Sequence, residues 1–150
     1  MQWKRPSHFD QAPYEVKVIW ILLVADESVR NFEILQEQLA DNHELRFDIR
    51  WRETALGECR VWQKLVVDST FVPMPPPQWV AFDEKFRDAM GLLARSSKDI
   101  VEGVEHDNDK QYARGIRCKD AYFEIANHQA LTLMPMPIEA AMRHAADWRP

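Results

Sequence analysis

Asp26 and Glu27 close an unbroken apolar run, Val18 to Ala25, and Asp68 closes a shorter one, Leu65-Val66-Val67. Two neighbouring parallel strands ending in these acids would bring the three carboxylates to one sheet edge, where open α/β folds place their chemistry. Three such oxygen ligands suit Mg²⁺. Beside that ion a carboxylate can accept a phosphoryl group, because the metal offsets charge on the transferring oxygens. Asp68 is then the candidate acceptor, and Asp26, Glu27 and Asp68 are the metal carboxylates. A plainer reading carries more weight on these residues alone: Asp26 caps a helix and Asp68 begins a turn.

The elements that would position them follow from the hydrophobic pattern. A short run rich in Val and Ile and closed by acids reads as a buried strand. From Asp26 or Ser28 a helix runs to about Asp41, with Val29, Phe32, Leu35 and Leu39 at helical spacing, and Asn42-His43 breaks it. Leu45 to Arg52 alternates strictly between apolar and polar, the period of a strand with one wet face. Strand, helix, strand in this order suits a right-handed crossover. Glu53 to Trp62 is helix-compatible, and the Leu65 run repeats the opening theme in miniature.

Phe71 to Trp79 holds Pro73, Pro75, Pro76 and Pro77, which stops regular structure. Beyond it Phe82, Phe86, Ala89, Leu93, Ser97, Ile100 and Val104 form a helical stripe, which Gly91 and Arg95-Ser96-Ser97 could divide around a short strand. His106 to Asp109 is a turn with capping residues, and Tyr112 to Thr132 is mostly helical. Met134 to Pro137 separates a last amphipathic helix bearing Ile138, Ala141, Met142, Ala145 and Trp148. The expected organisation is an N-terminal arm (1–13), one globular domain (14–133) and a C-terminal helix (134–150).

A chain of 150 residues can bury a real core, and 46% hydrophobic residues with 6 Trp argue against disorder. A net charge of -5 argues against a nucleic-acid footprint. Cys59 and Cys118 form no metal or redox motif, so free thiols are expected. Met1 to Pro13 carries Lys4 and Arg5 but no apolar targeting region, and the Val18 run is too short to span a membrane. The expected setting is cytoplasmic, with no nucleic-acid or membrane partner.

Ile21-Leu22-Leu23-Val24-Ala25-Asp26-Glu27 resembles the first strand and acidic pair of the receiver domain of bacterial response regulators. Leu65-Val66-Val67-Asp68, followed by Pro73-Met74, resembles its third strand and phospho-acceptor. Leu92 to Gly103 resembles the fourth strand and its helix, and Tyr112-Ala113-Arg114-Gly115 the fifth strand's Tyr-x-x-Lys-Pro. Ala25 stands where the first acid often lies, Ala94 in place of Ser or Thr, Arg114 in place of Lys and Gly115 in place of Pro. The resemblance implies a degenerate receiver with an α/β, flavodoxin-like sheet and a helix-rich second half. It implies signalling through protein contacts, with Arg114 substituting for the catalytic lysine and phosphoryl acceptance at Asp68 in question.

The alternative is an all-α antiparallel four-helix bundle, acting as a non-enzymatic interaction or sensory module. Cys118-Lys119-Asp120-Ala121-Tyr122 resembles the Cys-His-x-x-Tyr end of c-prime-type cytochromes. Gly115 replaces the first thioether Cys and Lys119 the iron ligand, so no haem is expected. His8, His43, His106, His128 and His144 lack metal-ligand spacing, and Ser96 and Ser97 lack the glycines of a nucleophile elbow. Lys110, Arg114 and Arg117 would line one helix face, as a solvated basic stripe or a phosphate clamp. The closing helix packs on its own domain or docks on another chain, a second copy included.

Overall fold

Val18 to Ala25 is wound into the middle of a long helix, α1 (Tyr14–Asp41), and the chain is all-α. The computed structural model describes residues 8–150. The arm before His8, with Trp3, Lys4 and Arg5, lies outside the described residues. After α1 come α2 (Ile49–Ser69), α3 (Val80–Glu105), α4 (Asp109–Glu124) and α5 (Ile138–Asp147), with no strand among the described residues. The α/β receiver-like sheet expected from the sequence is therefore replaced by a helical bundle.

The reason lies in what surrounds α1. Ser28 and Leu35 bond α2 residues, Tyr14 bonds α3, Gln36 bonds α4 and Trp20 bonds α5. A helix enclosed on so many sides loses its polar stripe and shows a continuous apolar run instead. Asp26 caps nothing, because α1 continues through it.

The second expected strand dissolves for a different reason. Leu45 to Arg52 straddles a boundary: His43–Phe47 is a 3-10 turn, and Asp48 caps α2 by accepting from the N–H groups of Arg50 (2.9 Å) and Trp51 (3.0 Å). The alternation spans two elements and has no single period. Leu65 to Asp68 is the end of α2, with Leu65 buried and Val67 exposed. The stripe from Phe82 to Val104 is one uninterrupted helix, without the short strand allowed for at Gly91, and every stripe residue is buried.

Consecutive long helices run antiparallel. Ser28 meets Glu58 and Trp62, while Leu35 meets Trp51. Arg52 donates to the Val104 carbonyl at 2.7 Å, and Arg87 to the Ser69 carbonyl at 2.6 Å. The α3–α4 pair is the closest. A Cβ on Gly103 would fall 2.6 Å from the Tyr112 backbone nitrogen. One on Gly115 would fall 2.6 Å from Ile100 Cγ1 and 2.9 Å from its backbone nitrogen. Ser96 secures the crossing by donating to the Gly115 carbonyl at 2.8 Å.

Between these helices Asp107 takes φ 51, and Asn108 caps α4 through the Gln111 N–H. A π-helical stretch, Ile125–Ala130, extends α4. The short α5 lies on α1, where the Trp20 indole donates to the Ala145 carbonyl at 3.1 Å and His144 faces Glu15 at 3.4 Å.

Two glycines in these helices should respond oppositely to the same change. Gly91→Ala, with open space around its Cβ, should raise stability in urea unfolding by about 0.5–1 kcal/mol. Gly115→Ala should instead lower it by about 1–3 kcal/mol, because overpacking against Ile100 outweighs helix propensity. Equal effects would contradict the close α3–α4 crossing.

Candidate functional site

The predicted acids are not assembled into one pocket. Asp26 pairs with Arg30 at 3.0 Å and lines a groove with Ile19, Asn127 and Met142. Asp68 lines a cleft of about 180 Å³ with Phe9, Trp20, Val24 and Lys64. The α1 residues in the Asp26 groove are 19, 22, 23, 26 and 30, and those in the cleft are 20, 21 and 24. At about 100° per residue the two sets lie roughly 150° apart around the helix. Glu27 is half-buried one position beyond Asp26. Among the described residues no group of three or more His, Cys, Asp or Glu side chains could hold a metal ion. The residues proposed as Mg²⁺ ligands therefore do not fit that ion together.

Arg114 lies on the exposed face of α4, where it shares a shallow groove with Lys110 and Arg117. It is in a different groove from Asp68, so the two do not form the acceptor–lysine arrangement of a receiver. Lys119, the residue standing in for a haem ligand, is instead buried among helices. Its ammonium donates to Gln36 Oε1 at 2.8 Å and approaches Asp120 at 3.3 Å.

The buried polar groups serve helix packing. Trp62 donates to Ser28 Oγ at 2.9 Å, and Ser28 donates onward to Glu58 at 2.5 Å. Burial pushes the Cys59 thiol up to about 12, with neighbouring Glu58 adding to the effect. Such a thiol is protonated and inert at neutral pH. Burial likewise raises Tyr112 to about 12 and lifts Tyr122 well above the ordinary phenol range. The Tyr112 hydroxyl has no hydrogen-bond partner, alone in this among the buried side-chain polar atoms of the described residues.

Both ends of the bundle show exposed apolar side chains: Phe47 and Ile49, at 62% and 69%, stand at the α1–α2 connection, and a larger group stands at the α2–α3 connection. Val67, Phe71, Met74 and Val80 are 56%, 75%, 91% and 48% exposed, and they flank or lie within the proline-rich connection between α2 and α3. The roots of this connection are firmly held. Val72 and Trp79 are buried, and Trp79 packs edge-on against Tyr14 and Phe82 with centroids 5.9 and 5.1 Å apart. Arg87 donates to the Ser69 carbonyl and, at 3.4 Å, to that of Val72. Asp83 sits 3.5 Å from Arg87 and accepts the Tyr14 hydroxyl at 2.6 Å. Burial, the Asp83 hydrogen bond and its charge all push the Tyr14 phenol upward.

No protein-family model, curated protein or solved structure matches the chain.

The candidate functional surface is therefore this apex, with apolar side chains presented from a fixed base. Sequence reasoning located the proline cluster as a break and did not assign it a role. The available signal was its flanks: prolines exclude helix and ladder, so Phe71 and Met74 have no regular element in which to be buried.

No helix among the described residues is long and apolar enough to cross a membrane.

Three measurements test this interior. Cys59, fully buried, should resist a thiol reagent in the native protein at pH 8 and react once urea unfolds it; rapid native labelling at Cys59 would contradict its placement. Its thiol pKa is 9.0 when unperturbed and about 12 when folded, so the folded state holds the proton more tightly. The associated stability is complete below the unperturbed value and declines as pH rises toward the folded one. Cys59→Ala should flatten that alkaline decline by about one proton per molecule, read from unfolding curves at successive pH values. Tyr112→Phe should raise stability by about 1 kcal/mol, because it removes an unsatisfied buried hydroxyl; a loss of that size would mean the hydroxyl is satisfied in solution.

Proposed function

We propose that this chain is a non-enzymatic helical interaction module that meets a protein partner through the α2–α3 apex. The observation that carries this reading is the exposure of Phe71 and Met74, at 75% and 91%, on a connection whose roots are buried and hydrogen-bonded. Scattered single apolar residues on a surface need no explanation. A group of them within one short segment, held by Arg87 and Trp79 rather than free to fold inward, suits a contact that another protein covers. The fixed base also lowers the ordering cost of association.

The interior agrees with a scaffold role. Apart from the Tyr112 hydroxyl, its buried polar side chains are hydrogen-bonded within the bundle, several of them between helices, as in Trp62–Ser28–Glu58 and Tyr14–Asp83–Arg87. The burial-shifted tyrosines and Cys59 are held in their neutral forms rather than tuned toward neutral pH, whereas acid–base catalysis favours groups that titrate near the working pH.

Affinity isolation of the tagged chain from its own cells tests the reading, alongside a Val67→Glu, Phe71→Glu, Met74→Glu variant. These side chains are exposed, so the helical circular dichroism should be preserved. The expected result is a defined partner present with the unaltered chain and lost with the variant. Identical partner sets for the two proteins would overturn the apex as the contact.

A further inference from the structure

We infer that Lys110, Arg114 and Arg117 on α4 form a recognition site for a phosphomonoester carried on a peptide chain. The site is separate from the apex: α4 follows the end of α3, and the apex precedes its start.

The three cations recur at i, i+4 and i+7 of one helix and line a single shallow groove with Asn108 and Ala113. All three are exposed, on the side of α4 turned away from buried Gly115, Lys119 and Tyr122. No acid of the bundle pairs with them, and among the described residues their side chains make no hydrogen bond. The neighbouring carboxylates are committed elsewhere. Asp109 pairs with Arg46 at 3.2 Å, Asp107 with Arg52 at 3.8 Å and Asp120 with Lys119 at 3.3 Å. Asp99 and Glu102 of α3 accept from the Gln111 amide, and Glu124 faces His128 at 3.9 Å.

Helix stability does not ask for this arrangement. Like charges three and four residues apart repel, and Lys110 stands in the first turn of α4, where the helix dipole disfavours a cation. Local conflicts of this kind concentrate at functional sites. The donor set then names the ligand. A guanidinium fork bonds two oxygens of a phosphate at once, and an ammonium adds a point charge. Arg clusters are a recurring means of reading phosphorylated motifs. From residue 110 to 117 the stripe spans about 10 Å, which fits one phosphate dianion. The net charge of -5 repels a long polyanion, which disfavours nucleic acid and an anionic bilayer. A groove this shallow would enclose little of a small free ligand. A phosphate presented on a peptide needs no enclosure, because its flanking residues add contact along the helix.

The test uses the full chain and a degenerate pool of short peptides with phosphoserine at the centre, beside matched pools carrying serine or glutamate there. Binding is followed by fluorescence anisotropy of the labelled pools and by the Arg Nε resonances of the isotope-labelled chain. The phosphoserine pool should bind saturably, about tenfold or more tightly than the serine pool, and inorganic phosphate should displace it. In Arg114→Gln/Arg117→Gln the affinity should fall about tenfold or more, since two charge-assisted contacts are lost. Arg114→Lys/Arg117→Lys should restore only part of it, because charge returns without the fork. These side chains are exposed, so the helical circular dichroism should not change; displacement by inorganic phosphate tests the unaltered chain even if the variants fail to fold. The inference is overturned if no pool binds, if the serine or glutamate pool binds equally, or if the glutamine variant keeps its affinity. Tighter binding of phosphatidylserine vesicles or a single-stranded oligonucleotide than of the phosphopeptide would overturn it too. The apex glutamate variant should bind the phosphoserine pool unchanged, and a loss there would show that the site is not on α4.

Discussion

Enclosure of α1 is the constraint on which the bundle depends. Val16, Val18, Ile19 and Ile21 are buried at successive angles around the helix, and Ala25, Val29 and Phe32 continue the buried surface toward its end. Side chains pointing in so many directions can leave water only if other helices surround them. The antiparallel α2 supplies one flank through Trp62 and Trp51, α3 and the 3-10 turn before it bring Phe82 and Trp79, and α5 adds Ala141 and Ala145. Burial of apolar area supplies the driving force, and it has little directional content of its own.

Register comes from the polar bonds set within that apolar interior. Trp62 to Ser28 to Glu58 fixes where α2 stands along α1, and the buried Lys119 with Gln36 does the same for α4. Each bond is costly to break, because a slipped helix would strand a buried donor. Gly103 and Gly115 act at shorter range: they let the α3 and α4 backbones approach until neighbouring atoms occupy the space a methyl would need.

Much of this was legible in the amino-acid order, but unevenly. The α1 end near Asp41, the stripe of α3, the Asn108 cap and the separate last helix could all be read, because each has a period or a capping residue facing solvent. The start of α1 could not, since a helix wrapped on all sides presents the same apolar run as a buried strand. Leu45 to Arg52 misled for the opposite reason: its alternation is produced by a 3-10 turn meeting a capped helix at Asp48. Reading Asp26 and Asp68 as one site depended on those strands. In helices the two acids turn to different flanks, so the chemistry expected of them went with the sheet. The proline cluster was visible as an interruption, but the burial of Val72 and Trp79 on either side is a tertiary fact that no local pattern contains.

The π-helical stretch at Ile125–Ala130 carries a consequence for how this bundle can change in length. A wider turn of this kind absorbs one residue more than an α-helical turn. Ala126 and Ala130 remain buried within it, and Leu131 beyond it still reaches the groove beside Met142. The surplus is confined to one turn instead of rotating every later side chain off its packing partner. Descendants of this sequence that gain or lose a single codon are best tolerated there, where the helix already has a means of taking up the slack.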